Sequence, residues 1–121
     1  MLLLDSNILI YALLPDQQQL RDFLLYKESA CSIVSNIEVM GYHKLTVHET
    51  AAFNSIFENI KILPLTSDIA AVAISLRQTK KMTLGDAIIA ATALVYQADF
   101  LTANTKDFDW IKKLNLTNPL I

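Results

Sequence analysis

Short apolar segments alternate with longer segments of helical pattern along this 121-residue chain, and the alternation limits the fold more than any other feature. The segments of strand length, which we predict as strands, are Leu2 to Leu4, Ala30 to Val34, Lys61 to Leu65 and Phe100 to Thr102, with Leu114 to Ile121 as a candidate fifth. Strands that alternate with helices form a parallel sheet, whose right-handed crossovers place helices on both faces. We therefore predict one α/β domain over residues 1–121, with α/β/α layers around a central parallel sheet of four to five strands.

The helices between these strands are predicted from capping residues and apolar spacing. One segment, from Ile69 to Leu76, carries apolar residues at i, i+3, i+4 and i+7, which is the pattern of an amphipathic helix. The predicted helices begin at Ser6-Asn7, Asp16, Ser35, Thr46, Thr66 and Thr83, and they end near Pro15, Lys27, Tyr42, Ile60, Lys81 and Tyr96. Ser35 and Thr46 each precede a Glu by three residues, which is the spacing of a capping box.

The composition limits the class of protein further. Hydrophobic residues make up 53% of the chain, so we expect a large core and an additional covered interface. Only Gly41 and Gly85 are glycines, which excludes dinucleotide-binding and P-loop fingerprints and the nucleotide cofactors that those loops hold. Cys31 is the only cysteine, so no intramolecular disulfide can form. The chain has no signal-peptide pattern and no apolar run near the about 18 residues of a membrane span, so we expect a soluble cytoplasmic protein.

Four acidic residues, Asp5, Glu38, Asp86 and Asp107, lie in separate segments at junctions where apolar runs stop. In an alternating strand and helix protein, these junctions meet at the carboxyl edge of the sheet, where ligands usually bind. Two like charges about 4 Å apart repel by about 4 kcal/mol at an effective dielectric constant of about 20, so such a cluster needs a cation. Because Mg²⁺ and Mn²⁺ prefer oxygen ligands, the pattern predicts a site for a divalent metal ion. Setting these four aside reduces the 12 acidic residues to 8 against 10 Lys and Arg, so the remaining surface is mildly basic.

Each of the four also has an ordinary structural interpretation. Glu38 and Asp86 stand three residues after predicted caps and can belong to capping boxes, while Asp107 can begin a short helical turn. Asp5 is harder to explain in this way, because a carboxylate at the end of a buried strand needs a partner and no nearby Lys or Arg supplies one. The recurrence of acids at successive sheet-edge junctions favours the metal site.

Four segments carry these acids and their neighbours. They are Asp5-Ser6-Asn7-Ile8-Leu9-Ile10-Tyr11; Ser35-x-x-Glu38 with Gly41 and Tyr42 behind it; Leu84-Gly85-Asp86-Ala87-Ile88-Ile89-Ala90-Ala91-Thr92-Ala93; and Leu101-Thr102-Ala103-Asn104-Thr105-Lys106-Asp107-Phe108. Each segment is a weak signal alone. In this order and at these separations, they resemble the motifs of PIN-domain ribonucleases, and most closely those of the VapC toxins of toxin-antitoxin operons.

The resemblance implies a metal-dependent endoribonuclease with Mg²⁺ or Mn²⁺ as its cofactor, acting as the toxin of a type II toxin-antitoxin pair. Carried over by motif, Asp5, Glu38 and Asp86 become metal ligands, with Asp5 as the bridging one. The fourth ligand falls on Asp107, and Asn104 stays open as an alternative because some family members carry an acid at that position. The residues expected to orient the carboxylates or waters are Ser6, Thr102 and Asn104.

The resemblance also implies an RNA substrate, an antitoxin partner and a homodimer. The cations near the acidic junctions, which are candidate RNA contacts, are Arg77, Lys80, Lys81 and Lys106. The first three equally suit the end of a helix, where they complement its dipole. Apolar residues of the second to fourth helices are candidates for a groove that holds an antitoxin helix, and core packing accounts for most of them. They are Leu20, Phe23, Leu24, Tyr26, Tyr42, Phe53, Ile56 and Phe57.

Two other classes of function stay open from the sequence. One is a catalytically silent PIN-like module that binds a partner protein or RNA. The other is a phosphotransfer enzyme or receiver domain, which is disfavoured because no second acid stands two residues after Asp5. Catalysis or zinc binding by His43 and His48 is disfavoured as well, because neither has a Cys or acidic partner at metal-site spacing.

Overall fold

Five parallel strands form one sheet in the order β3-β2-β1-β4-β5. The computed structural model of the protein describes residues 1–120, without the side chain of Tyr26. The strands are β1 (Leu2–Leu4), β2 (Ser29–Ser32), β3 (Lys61–Leu63), β4 (Asp99–Leu101) and β5 (Asn115–Thr117). The predicted parallel sheet is confirmed, and the candidate tail strand is present as β5, with Ile121 outside the described residues.

Six α-helices connect the strands. They are α1 (Ser6–Ala12), α2 (Gln18–Tyr26), α3 (Ile33–Met40), α4 (Val47–Glu58), α5 (Ser67–Thr79) and α6 (Leu84–Tyr96), and a short 3-10 turn covers Thr105–Asp107. Among residues 1–120, none of the helices combines the length and the apolar character that crossing a membrane requires.

The pleat of the central strand divides the core between the two faces of the sheet. Leu2 and Leu4 of β1 pack in one buried cluster with apolar side chains of α1, α2 and α4. Leu3 points to the opposite face and packs in a second cluster with Ile89, Ala90 and other residues of α6. Because successive residues of a strand face opposite sides, one short strand supports both layers. The predicted three-layer α/β/α architecture is therefore confirmed.

Helix α6 is buried on every side over residues 87–93. Four of these seven residues are alanines, which allow α5 to pack closely; Ile69 and Ala73 of α5 contact this segment. Because alanine side chains are short, α5 and α6 can pack closely along this segment. This close packing fixes the position of the adjoining first turn of α6. Asp86 lies in that first turn.

The boundary between β2 and α3 differs from the prediction. The strand ends at Ser32, and Ile33 and Val34, which their β-branched side chains suggested for the strand, form the first turn of α3. The Ser32 hydroxyl accepts a hydrogen bond from the Val34 amide at 3.1 Å and so caps the helix. Ser35 is therefore not the cap, and the interpretation of Glu38 as part of a capping box is wrong.

Two other predicted caps are also wrong. The cap of α1 is Asp5, whose Oδ1 accepts a hydrogen bond from the Ser6 amide at 2.8 Å, rather than Ser6-Asn7. Helix α2 begins after Gln17, which makes no side-chain capping bond, rather than at Asp16. The caps predicted for α4, α5 and α6 are confirmed as Thr46, Thr66 and Thr83, and Thr46 forms the full capping box with Glu49.

Candidate active site

The carboxyl ends of the parallel strands carry the candidate site. Asp5 directly follows β1, and Thr102 directly follows β4, the neighbouring strand. The Asp5 amide donates to the Leu101 carbonyl at 2.9 Å, so the parallel pairing continues to the point where both strands end. Asp107 ends the 3-10 turn after β4. Parallel strand pairing thus brings residues about a hundred positions apart in sequence to one edge of the sheet.

Asp5 is held from several directions. Its side chain is only 6% exposed. Oδ1 accepts from the Ser6 amide at 2.8 Å, and Oδ2 accepts from the Thr102 hydroxyl at 2.7 Å. The Asn7 carboxamide is a further donor to Oδ2, at 3.4 Å. The carboxylate therefore has a fixed orientation at the sheet edge.

Glu38 approaches the site from α3. Its Oε1 accepts a hydrogen bond from the Ser6 hydroxyl at 2.7 Å. Its Oε2 would lie 3.4 Å from a Cβ atom built on Gly85, so the carboxylate rests against the first turn of α6 where a side chain is absent. Ser6 and Gly85 together hold Glu38 between the start of α1 and the start of α6.

The four carboxylates influence each other electrostatically. Burial raises the pKa of Asp5, the charges of Asp86 and Glu38 raise this pKa further, and the hydrogen bonds from Thr102 and Ser6 oppose them. Burial likewise raises the pKa of Asp86, hydrogen bonding with Thr83 lowers it, and the charges of Asp107 and Glu38 raise it. None of the four forms a salt bridge with a described residue. The site is therefore a set of mutually repelling negative charges without a protein cation.

The acids are neighbours rather than a closed ligand cage. Among residues 1–120, no three Asp, Glu, His or Cys side chains lie close enough together to hold one metal ion. Asp5 is buried and Asp86 half-buried, whereas Glu38, Asp107 and the alternative ligand Asn104 are exposed. The available donors are all oxygens, and their mutual repulsion is relieved by positive charge, so the chemistry of this set fits Mg²⁺ or Mn²⁺.

Two of the three expected supporting residues contact the acids directly. Ser6 donates to Glu38, and Thr102 donates to Asp5. The third, Asn104, joins through its backbone, because its amide donates to the Thr102 hydroxyl at 3.1 Å. Sequence reasoning missed Asn7 as a member of this group. Its position two residues after Asp5 was the available signal, but its contacts with Thr102 and Ala103 depend on the pairing of β1 with β4.

The candidate RNA contacts lie around the end of α5 and beside Asp107, and all four are exposed. Lys80 stands over the Trp110 ring, 5.7 Å from its centroid, and the Trp110 indole N–H donates to the Asp107 carbonyl at 3.1 Å. Arg77 donates to the Met82 carbonyl at 3.4 Å, in the segment that leads to Thr83. Lys80 and Arg77 are thus each in contact with a residue that lies within four positions of Asp107 or Asp86 in the sequence.

A small apolar cavity of about 320 Å³ opens next to Glu38. Its lining includes Ile10 of α1, Tyr42 after α3 and Phe53 of α4, with Glu38 and Glu49 as its acidic residues. Ile10 and Tyr42 are each 53% exposed, whereas Phe53 belongs to the core. The predicted groove therefore involves fewer residues than expected: the other candidates Leu20, Leu24 and Phe57 are buried in the core, and the side chain of Tyr26 lies outside the described part of the structure.

Solved structures of other proteins share this fold over nearly their full length. A toxin-antitoxin complex from Klebsiella pneumoniae contains a chain that is 32% identical to this protein in sequence. The alignment covers 98% of each chain, and the TM-score is 0.80. FitAcB from Neisseria gonorrhoeae is similar at 23% identity, with 99% of each chain covered and a TM-score of 0.79. DNA-bound VapBC from Salmonella typhimurium is similar at 15% identity, with 97% of this chain and 96% of that chain covered and a TM-score of 0.84.

The sequence pattern of one family covers most of the chain. The family description is PIN domain, and its model matches residues 2–114, which include all four candidate acids. No curated protein matches the chain. The resemblance to PIN-domain proteins of the VapC type that the four motifs indicated is confirmed, and the chain belongs to the PIN-domain family.

Proposed function

We propose that this protein is a metal-dependent endoribonuclease that hydrolyses RNA phosphodiester bonds as the toxin of a toxin-antitoxin pair. The observation that carries the proposal is the set of four coupled carboxylates at the carboxyl edge of the sheet, two of them with raised pKa values and none with a protein cation. A structural role would be better served by neutral side chains there, because uncompensated buried charge is costly. Family membership supports the same conclusion, since PIN-domain nucleases act on RNA.

In this proposal, Asp5, Glu38, Asp86 and Asp107 would hold Mg²⁺ or Mn²⁺. When bound, the divalent cation supplies Lewis-acid chemistry, which activates the attacking water and stabilises charge on the leaving oxygen. Ser6 and Thr102 orient the carboxylates of Glu38 and Asp5. Asp107 orients the attacking water or completes the ligand set, and Asn104 is the alternative for that last position.

RNA would reach the acidic edge along the nearby cations, Arg77, Lys80, Lys81 and Lys106. Lys80 is the strongest candidate, because its ammonium group lies over the Trp110 ring, and the indole N–H of Trp110 donates to the backbone carbonyl of Asp107. A phosphate contact at Lys80 should make binding depend on salt. For single-stranded RNA, Lys80→Ala should reduce the slope of log affinity against log salt by about 0.7, whereas Lys113→Ala should not.

The proposed protein partner is an antitoxin. A toxin-antitoxin complex contains the related chain from Klebsiella pneumoniae, and the apolar cavity beside Glu38 offers a place for an amphipathic segment. A basic residue on such a segment would complement Glu38 and Glu49. We further propose a homodimer, because several large apolar side chains, including Ile74 and Leu84, are more than half exposed.

Cleavage assays with matched variants test the catalytic proposal. Wild-type protein should cut RNA in Mn²⁺ and lose that activity in EDTA, and Asp5→Asn and Asp86→Asn should abolish it. Asp16→Asn, the same chemical change at an exposed residue outside the site, should retain full activity. Unchanged cleavage by the two site variants would refute the assignment. Absence of cleavage by all proteins, with RNA or antitoxin binding intact, would identify a catalytically silent module.

A further inference from the structure

Asn7 joins two segments that are far apart in sequence. Its Nδ2 donates to Asp5 Oδ2 at 3.4 Å and to Thr102 Oγ1 at 3.3 Å, across 95 residues of chain. Its Oδ1 accepts from the Ala103 amide at 3.2 Å. Since a backbone N–H can only donate, the carbonyl side of Asn7 must face Ala103 and the amino side must face Asp5 and Thr102.

This arrangement fixes the direction of the Thr102 hydroxyl. Thr102 Oγ1 accepts from Asn7 Nδ2 and from the Asn104 amide, which fills both of its lone pairs. Its single proton is therefore directed to Asp5 Oδ2, at 2.7 Å. Without Asn7, one acceptor position of the hydroxyl would be free and the Ala103 amide would lose its partner.

The same bonds set the position of the segment after β4. Ala103 and Asn104 are attached to Asn7 and Thr102, and Asp107 follows within one short 3-10 turn, with its amide donating to the Asn104 carbonyl at 3.0 Å. A shift of this segment would move Asp107 relative to Asp5. One half-buried side chain at the start of α1 therefore connects the segments that carry acids from opposite ends of the chain.

We propose that Asn7 is a positioning residue, which fixes the segment from Thr102 to Asp107 relative to Asp5 and thereby favours binding of a divalent cation by acids of the two segments. The inference rests on the proposed function, because it takes Asp5 and Asp107 as metal ligands. Asn7 itself contacts neither cation nor RNA in this role. Its loss should weaken cation binding and leave the chemical step intact.

The test compares Asn7→Ala with Asn118→Ala. Asn118 is a suitable control, because its side chain also bonds to the backbone of Ala103, at the carbonyl oxygen, without contacting Asp5 or Thr102. Asn7→Ala should weaken Mn²⁺ binding in calorimetry by about 10- to 100-fold, as is usual when a group behind a metal ligand is lost. It should also speed hydrogen exchange of the Ala103 amide, and saturating Mn²⁺ should restore kcat. Asn118→Ala should bind Mn²⁺ as wild type does.

A double-mutant cycle with Asp107→Asn separates positioning from general loss of structure. If Asn7 acts through the segment that carries Asp107, its removal should change Mn²⁺ affinity much less in the Asp107→Asn background. Asn7→Leu supplies a second variant of similar volume, which adds no charge and loses both the acceptor for Ala103 and the donor to Thr102, and it should also bind Mn²⁺ weakly. If Asn7→Ala does not fold, the Asn7→Leu result decides.

The outcomes distinguish this inference from the proposed function. Wild-type protein that binds no Mn²⁺, or Asp5→Asn protein that cleaves RNA normally, would overturn the proposed function and the role of Asn7 with it. Normal Mn²⁺ binding by wild type, unchanged in folded Asn7→Ala or Asn7→Leu protein, would overturn the positioning role alone. Equal, additive losses in the Asp107→Asn background would overturn it as well.

Discussion

At the residue scale, the negative charge on Asp5 lowers the free energy of unfolding. Burial, Asp86 and Glu38 raise its pKa above 3.8, so the folded protein binds this proton more tightly than the unfolded chain does. Stability contributed by the protonated form is complete below about pH 3.8 and is lost as the pH rises through the higher folded pKa. In EDTA, Asp5→Asn removes this charge, but it also loses one of the two hydrogen bonds from Ser6 and Thr102, because a side-chain amide has only one oxygen acceptor. The lost bond lowers stability by a similar amount at every pH, whereas the benefit of removing the charge grows as the pH rises. The stability difference between the two proteins therefore has a constant part and a part that depends on pH.

The pH dependence of this difference is the decisive measurement. The melting temperature of wild type should fall relative to that of Asp5→Asn as the pH rises above 3.8. Asp16→Asn, which changes an exposed carboxylate in the same way, should follow the wild-type curve at every pH. A constant gap between wild type and Asp5→Asn would contradict the account of the charge.

Gly85 provides a second prediction at this scale. A methyl group there would meet Glu38 Oε2 at 3.4 Å, an ordinary contact, and the residue lies in the first turn of α6 with a negative φ. Gly85→Ala should therefore stabilise the protein by up to about 1 kcal/mol through helix propensity. Gly85→Leu should instead displace the Glu38 carboxylate and weaken Mn²⁺ binding. Urea denaturation and calorimetry measure the two effects, and equal Mn²⁺ affinity in both variants would contradict the contact.

At the scale of elements, the cap of α3 connects stability to the site. Ser32→Ala leaves the Val34 amide without its acceptor and should cost about 1 kcal/mol. Thr46→Ala removes the corresponding bond of α4, from the Glu49 amide, and should cost a similar amount. Of these two helices, only α3 carries a candidate ligand, Glu38, so of the two variants only Ser32→Ala should also reduce Mn²⁺ affinity. Equal Mn²⁺ affinity in the two variants would show that the start of α3 does not position Glu38.

The elements also show what local sequence can and cannot predict. Thr46, Thr66 and Thr83 were predictable as caps because each precedes a helix whose own spacing is clear. The start of α3 was not, because Ile33 and Val34 favour a strand by their branching and become helical only through the Ser32 cap and packing on neighbouring helices. Local preference was overridden there by tertiary contacts.

At the scale of the whole molecule, cation binding should be linked to folding. An ion that binds only the folded state, at 100 times its dissociation constant, adds about 2.7 kcal/mol to the free energy of unfolding. Melting temperature should therefore rise with Mn²⁺ concentration in wild type and in Asp16→Asn protein. Asp5→Asn should show little or no rise, and a rise equal to that of wild type would place the ion elsewhere.

The approach of the acids was predictable at this scale, but their detailed contacts were not. Parallel strands end at one edge, so the alternation of strands and helices was enough to place the segments that carry Asp5 and Asp107 at the same edge of the sheet. The contacts of Asn7 with Thr102 form because β1 and β4 are adjacent strands in the sheet. No local sequence pattern predicts the order of strands in a sheet, so these contacts could not be predicted. The close approach of the Glu38 carboxylate to Gly85 likewise depends on how α3 packs against α6.

The central position of the first strand affects how the protein is made. β1 leaves the ribosome first, but its neighbour β4 begins only at Asp99, and Thr102, the partner of Asp5, comes later still. An unfinished polypeptide that stops before this point lacks the hydroxyl that holds the Asp5 carboxylate. Truncated products of translation are therefore expected to lack the assembled acidic edge, which can form only once β4 and Thr102 have been synthesised.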